Sequence, residues 1–278
     1  AVGAHKLLPV LEDLRKLPLI PSVLVVGNYA AGPTPLIQAL GKDRLLMGFF
    51  LASATIADGK VFVADYGPER KLRMVIGEPD GEAAGRTEKL AGMFEAAGFS
   101  VEVSDDIDAW LKTHAAMIVP LTCGVYSVGG DYHVLADTPD GMLLVVRGIQ
   151  EAFAVQRRLG IPILPKSSQV IAGLPEPVAL AFLRRFSRQP DLEYVFAHTE
   201  HLRGEITCLA EQMTLMAQQA DLPTPSLDRL FAALHPASQP IPQGSRDLRL
   251  SWKWLLPWVA LPVAVAAVIG IKNLRKRK

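Results

Sequence analysis

The segment from Asp105 to Val119 constrains this chain more than any other. Asp105 and Asp106 suit a helix start, because a carboxylate there accepts from free backbone amides and faces the positive end of the helix dipole. Ile107, Trp110, Leu111, His114 and Ile118 recur at helical spacing and make one apolar stripe. Beyond Thr113 the run Ala115-Ala116-Met117-Ile118-Val119 is apolar on every side, so this helix must run into a core. Lys112 is the last charge before that core. An ammonium at such an edge loses part of its hydration and becomes a stronger proton donor. The plainer alternative is a lysine whose stem packs while its head stays in water.

Before this helix the chain alternates between helical and extended patterns. Residues 4–16 predict an amphipathic helix with Leu7, Leu8, Leu11 and Leu14 on its apolar face. Ser22-Val23-Leu24-Val25-Val26-Gly27 is a short continuous apolar run ending in glycine, the pattern of a buried parallel strand. Asn28 to Pro33 then forms the loop at its carboxyl end, and residues 34–40 start another helix. Ligands of open α/β sheets bind at the carboxyl ends of strands, which makes Asn28 a candidate binding residue. A turn asparagine that bonds its own backbone fits the same place. Residues 46–56, 60–65 and 72–77 are strand-like, and Asp58-Gly59 signals a hairpin between the first two. Such strands add antiparallel material to a parallel sheet. A helix over 82–97 and a strand over 99–103 complete this part.

From residue 105 onward the pattern is helical, with helices expected over 142–159, 175–186, 193–198, 202–220 and 226–234. The expected fold class is therefore α/β followed by all-α, with an α/β part over 1–104 and a helical part over 105–235. Within 202–220, Leu202, Ile206, Leu209, Met213, Met216 and Ala220 share a stripe. Glu205 falls at the edge of that stripe and Glu211 opposite it. Glu205 is thus a candidate half-buried, functional carboxylate, although rim charges of amphipathic helices occupy such positions too. His198, His201 and Glu205 have a spacing that can converge on a metal. No further ligand stands near them in sequence, so no metal site is expected.

Composition excludes some classes. The chain has 278 residues, half of them hydrophobic, with a net charge of +1. Basic residues are dispersed except at the C-terminus, so no nucleic-acid surface is indicated. Cys123 and Cys208 lie far apart in apolar surroundings and suit buried, reduced thiols. Residues 236–253 are rich in proline, serine and glutamine at their start and suggest a linker. Trp254 to Ile271 contains no charged residue. At about 1.5 Å per residue this run reaches about 27 Å, enough to cross a hydrocarbon core. Trp252, Trp254 and Trp258 stand at one end and the basic tail 272–278 at the other, as interfacial anchors do. A membrane-anchored protein with lipid as a partner is the expectation, its main domain on the cytoplasmic side. Pro257 and Pro262 are tolerable in such a span.

The order and spacing of several stretches resemble the ketopantoate reductase (2-dehydropantoate 2-reductase) family over residues 2–234. These are Leu24-Val25-Val26-Gly27-Asn28, Arg73-Met74-Val75-Ile76-Gly77-Glu78 and Ala97-Gly98-Phe99-Ser100-Val101-Glu102-Val103. They continue with Ile107-Asp108-Ala109-Trp110-Leu111-Lys112, Gly204-Glu205-Ile206 and Leu222-Pro223-Thr224-Pro225. The resemblance implies a partial Rossmann-like sheet followed by a helical domain, with the active site in the cleft between them. It implies NADPH-dependent reduction of a 2-keto acid, 2-dehydropantoate or a relative, to the 2-hydroxy acid. Lys112 matches the family's catalytic lysine, which protonates the keto oxygen. Glu205 matches the glutamate that contacts the substrate hydroxyl, and Asn28 the asparagine at the cofactor and substrate cleft.

The chain also departs from the family pattern. It contains no Gly-x-Gly-x-x-Gly, which the family carries on a first strand that would lie before Ala1. Little NADPH affinity is therefore expected of this chain. Ala116 stands where the family has a substrate-binding asparagine, and Glu193 near its serine for the substrate carboxylate. Ala210 and Glu211 replace an asparagine and a glycine that follow the glutamate. These changes point to a substrate other than ketopantoate, or to an inactive membrane-anchored binding or scaffold protein with the same fold.

Overall fold

The computed structural model describes residues 3–17, 19–51, 54–57, 60–63, 71–81, 85–188 and 199–251. Period-two alternation organises the α/β part. It contains α1 (Leu7–Arg15), β1 (Val23–Val26), α2 (Thr34–Leu40), β2 (Leu45–Leu51), β3 (Ala54–Ala57), β4 (Lys60–Val63), β5 (Arg73–Gly77), α3 (Gly85–Ala96) and β6 (Ser100–Val103). The main sheet has the order β1-β2-β5-β6. β1 is parallel to β2, with Val23 opposite Leu45, and β5 is parallel to β6, with Arg73 opposite Ser100. β2 and β5 run antiparallel, with Met47 opposite Gly77. On one face Leu45, Met47 and Val75 pack with Leu11 of α1 and Leu36 and Leu40 of α2. On the other face Met74 and Ile76 meet Ala91 of α3. The sheet is thus covered on both sides. Arg44 fastens the end of α1 to the start of β2 by donating to the carbonyls of Leu14, Leu17 and Ile20.

The helical part contains α4 (Ile107–Ser127), α5 (Tyr132–Asp137), α6 (Pro139–Arg158), α7 (Ser168–Gly173), α8 (Glu176–Phe186), α9 (Thr199–Ala220) and α10 (Pro225–Ala232). Asp106 caps α4 by accepting from the Ala109 amide at 2.9 Å. Ile107, Trp110 and Leu111 at its start belong to the sheet's core, whereas Ala115, Ala116, Val119 and Cys123 belong to the helical core. One helix therefore joins both parts. α6 lies against α4 at close range: a Cβ on Gly124 would stand 2.3 Å from Val145 Cγ2, so only glycine fits there. Phe153 of α6 is fully buried in this core, which contributes about 1.5–3 kcal/mol. Glu151 of α6 accepts from the Ser226 and Leu227 amides and so caps α10.

Several expectations are corrected. β1 is parallel but not buried: it is the sheet's edge strand among the described residues, and Val26 is 40% exposed. Leu8 is exposed, so the buried face of α1 centres on Leu11. The strand-like run 46–56 breaks into β2 and β3. Among the described residues β3 pairs with β4 alone, as a separate two-stranded sheet with Ala57 opposite Lys60. Cys208 is half-buried, not buried.

Residues 236–251 have no regular secondary structure, yet they are bound to the helices. The buried Asp140 carboxylate accepts from Ser245 Oγ and from the amides of Asp247 and Leu248. Glu176 accepts from Arg147 through two bonds and from the Ser251 amide at 2.7 Å. The segment is a strap laid over α6 and α8 instead of a free linker. The expected helix over 193–198, the run 254–271 and the basic tail lie outside the described residues. Among the described residues no helix is long and apolar enough to cross a membrane.

Candidate functional site

The loop after β1 is held from two sides. Asn28 Nδ2 donates to Glu205 Oε1 at 3.0 Å, and the Ala30 amide donates to Gln212 Oε1 at 2.8 Å. Glu205 and Gln212 are seven residues apart on α9, two turns along one face. Gln212 Nε2 meets the Cys208 sulfur between them. The amide orientation of Asn28 follows from the charge: its oxygen turned toward a carboxylate would face acceptor with acceptor. Asn28 Oδ1 is consequently buried with no partner among the described residues. Tyr29 is buried beside this face. Burial above all, with the Asp108 carboxylate nearby, pushes its phenol up to about 12, so it is protonated at neutral pH.

Lys112 reaches the same loop from α4. A Cβ on Gly32, where φ is +82°, would lie 3.5 Å from Lys112 Nζ. The ammonium is paired with Asp108 one turn earlier, and the two side chains are only 11% and 22% exposed. The other Asp108 oxygen is buried without a partner among the described residues. Beyond this pair, His114 stacks on Trp110, with ring centroids 5.4 Å apart, and lies 4.2 Å from the Phe49 ring. Burial holds its imidazole far down, at about 4, so it is neutral and serves the packing.

The structure thus brings Asn28 and Glu205 into contact and leaves Lys112 at the far end of their loop. Lys112 and Glu205 line different cavities. Asn28 and Glu205 close one end of a cavity of about 240 Å³ walled by Leu7, Leu11, Val23 and Val25. Lys112, Ala116 and Gln156 line one of about 10 Å³, room for about one water. Gln156 Oε1 is buried there without a partner among the described residues. A larger groove of about 880 Å³ runs between the outer face of α9 and α10, past Glu211, and holds neither Lys112 nor Asn28. Glu205 is half-buried and Glu211 exposed, as their positions on the stripe predict. Gln212 escapes a reading based on apolar periodicity; its signal is the two-turn spacing from Glu205. The side chains of His198 and His201 lie outside the described residues, and among those described no group of three potential ligands could hold a metal.

A dinucleotide has one partial fit here. The unpartnered Asn28 Oδ1, at the end of β1, suits a carboxamide N–H such as that of nicotinamide. Residues 1–278 hold no Gly-x-Gly-x-x-Gly, the pattern that receives a pyrophosphate at a helix start.

No known family model and no curated protein matches the sequence. Solved structures do. D-mandelate dehydrogenase in ternary complex with NADH and anilino(oxo)acetate superposes with a TM-score of 0.65 at 16% identity, over 84% of this chain and 73% of that one. The dimeric ketopantoate reductase from Staphylococcus aureus gives 0.61 at 15% identity, over 84% and 74%. The 2-dehydropantoate 2-reductase from Geobacter metallireducens GS-15 gives 0.61 at 16% identity, over 78% and 68%. The α/β part followed by the helical part is therefore the fold of ketopantoate reductases and D-mandelate dehydrogenase.

Proposed function

We propose that the chain is an oxidoreductase that reduces a 2-keto acid to the 2-hydroxy acid. The observation that carries this reading is the Asn28–Glu205 hydrogen bond at the carboxyl end of β1, on a loop whose other end lies against Lys112. Glu205 accepts from a hydroxyl elsewhere on the substrate, such as 2-dehydropantoate carries apart from its keto group, and Asn28 holds the Glu205 carboxylate in place. Lys112 donates a proton to the keto oxygen as negative charge develops there. Asp108 orients the ammonium, which must turn from it toward the loop to reach a substrate. NADPH, when bound, supplies the hydride, and the Asn28 carboxamide is the group here that can meet its nicotinamide. The solved structures of like fold support the substrate class, since one holds an oxo acid and others are named for reducing one. Residues 254–271 anchor the protein in a membrane, on the evidence of their uncharged sequence and its tryptophan and basic flanks.

A second reading has its own observation. Lys112 is engaged by Asp108, and the cavity beside it holds about one water. A binding or scaffold protein that keeps the fold without turnover would look like this. NADPH oxidation by the full chain, with a panel of 2-keto acids and with ketones lacking the carboxylate, separates the two. Oxidation that depends on the 2-keto acid supports the reductase; a rate no higher than without substrate supports the scaffold.

A further inference from the structure

We propose that Gln156 positions the Lys112 ammonium through one internal water, held in the closed cavity between α4 and α6. The orientation of the Gln156 amide is fixed by its neighbours. Thr113 Oγ1 donates to the Ala109 carbonyl at 2.8 Å, so its one proton is spent. Toward its other partners it can only accept, and it accepts from the Leu164 amide at 3.1 Å and from Gln156 Nε2 at 3.3 Å. Gln156 therefore turns its nitrogen to Thr113 and its oxygen away. The residue is 1% exposed, and that oxygen is buried with no partner among the described residues. A buried amide oxygen left unbonded costs about 1–3 kcal/mol.

Lys112 and Gln156 line the same cavity of about 10 Å³, and its other lining side chains, Ala116 and Met213 among them, are apolar. The two polar groups are complementary. An ammonium has three donors, and among the described residues Lys112 spends one, on Asp108. One water between the two side chains accepts from the ammonium and donates to Gln156 Oε1, and the cavity has room for about one. No other lining side chain competes for that water. Asp108 draws the ammonium back along α4, whereas the water draws it across to α6. A buried ammonium that leaves its carboxylate then keeps one hydrogen bond as it turns toward the loop after β1. This role in turnover rests on the reductase reading; the water bridge does not.

Two variants test the bridge. Gln156→Met keeps the length of the side chain and removes the acceptor, and Thr113 keeps its bonds to Ala109 and Leu164. Ala116→Val fills the cavity and leaves Gln156 in place, so it removes the same water without changing the amide. Crystal structures of the full chain and of both variants are compared, with kcat and KM for NADPH-dependent reduction of a 2-keto acid. The expected result is one water within about 3.2 Å of both Lys112 Nζ and Gln156 Oε1 in the unchanged protein. Both variants should lack it, and their kcat should fall about tenfold with KM little changed. A dry cavity in the unchanged protein, a water bonded to only one of the two side chains, or full turnover in Gln156→Met would overturn the proposal. A water bridge in an unchanged protein that oxidises no NADPH with any 2-keto acid would uphold the bridge and overturn the reductase reading.

Discussion

Asn28 and Glu205, 177 positions apart in the chain, share one hydrogen bond of 3.0 Å. It ties the loop after the edge strand to the first turns of α9, so the α/β part and the helical part meet at a carboxylate. Asn28→Asp replaces the donor with a second carboxylate and sets like charges against each other. A loss of about 1–3 kcal/mol is expected from urea unfolding at pH 7. Asn28→Ala should cost less, because Glu205 is half-exposed and water can replace the donor.

Asp108 and Lys112 form a pair in which each depends on the other. Lys112→Ala leaves a mostly buried carboxylate whose second oxygen already lacks a partner among the described residues. It should lower stability as well as turnover. The double variant Asp108→Asn with Lys112→Ala should be more stable than Lys112→Ala alone, which a thermal melt can check.

His114 makes stability depend on pH. Its imidazole is held at about 4 in the fold, against 6.5 when free, so the unfolded chain binds more protons between those values. Stability is full above 6.5, falls as the pH drops through that window, and is lost by about 4. The drop amounts to about 3 kcal/mol at most. His114→Phe keeps the stacking on Trp110 and should flatten this part of the pH profile of unfolding.

Asp140 holds the strap. Burial raises its carboxyl, but hydrogen bonds from Ser245 and the Leu248 and Asp247 amides outweigh that and hold it below its usual 3.8. Its stabilising contribution is therefore present above that value and fades as the pH falls through its lower folded value. Asp140→Ala should cost about 2–4 kcal/mol. Limited proteolysis should then cut between residues 241 and 251 faster than in the unchanged protein.

Much of this was legible in the sequence, for identifiable reasons. The stripe through Ile107, Trp110 and Leu111 marks α4 because a long amphipathic helix repeats its period several times. Glu205 stands out at the border of a stripe, and Asn28 at the end of an apolar run. Their contact is not legible, because only the packing of α9 across the end of β1 brings them together. The Asp108–Lys112 pair is visible as i, i+4 spacing, but spacing cannot say that the ammonium turns to its own helix instead of a cavity. α5 and α7, six residues each, are too short for periodicity to reveal. The composition of residues 236–251 predicts irregular backbone, and is silent on whether that backbone is bound, since Asp140 and Glu176 lie far away in sequence.

The most direct test of the reductase reading is the rate of 2-keto acid-dependent NADPH oxidation at millimolar NADPH, compared between the unchanged protein, Lys112→Ala and Glu211→Ala. Lys112→Ala should lower turnover by about 10²–10⁴-fold, as loss of a general acid does. Glu211→Ala, exposed on the opposite face of α9, should leave it unchanged. Full activity in Lys112→Ala, or no oxidation by the unchanged protein with any 2-keto acid, would contradict the assignment.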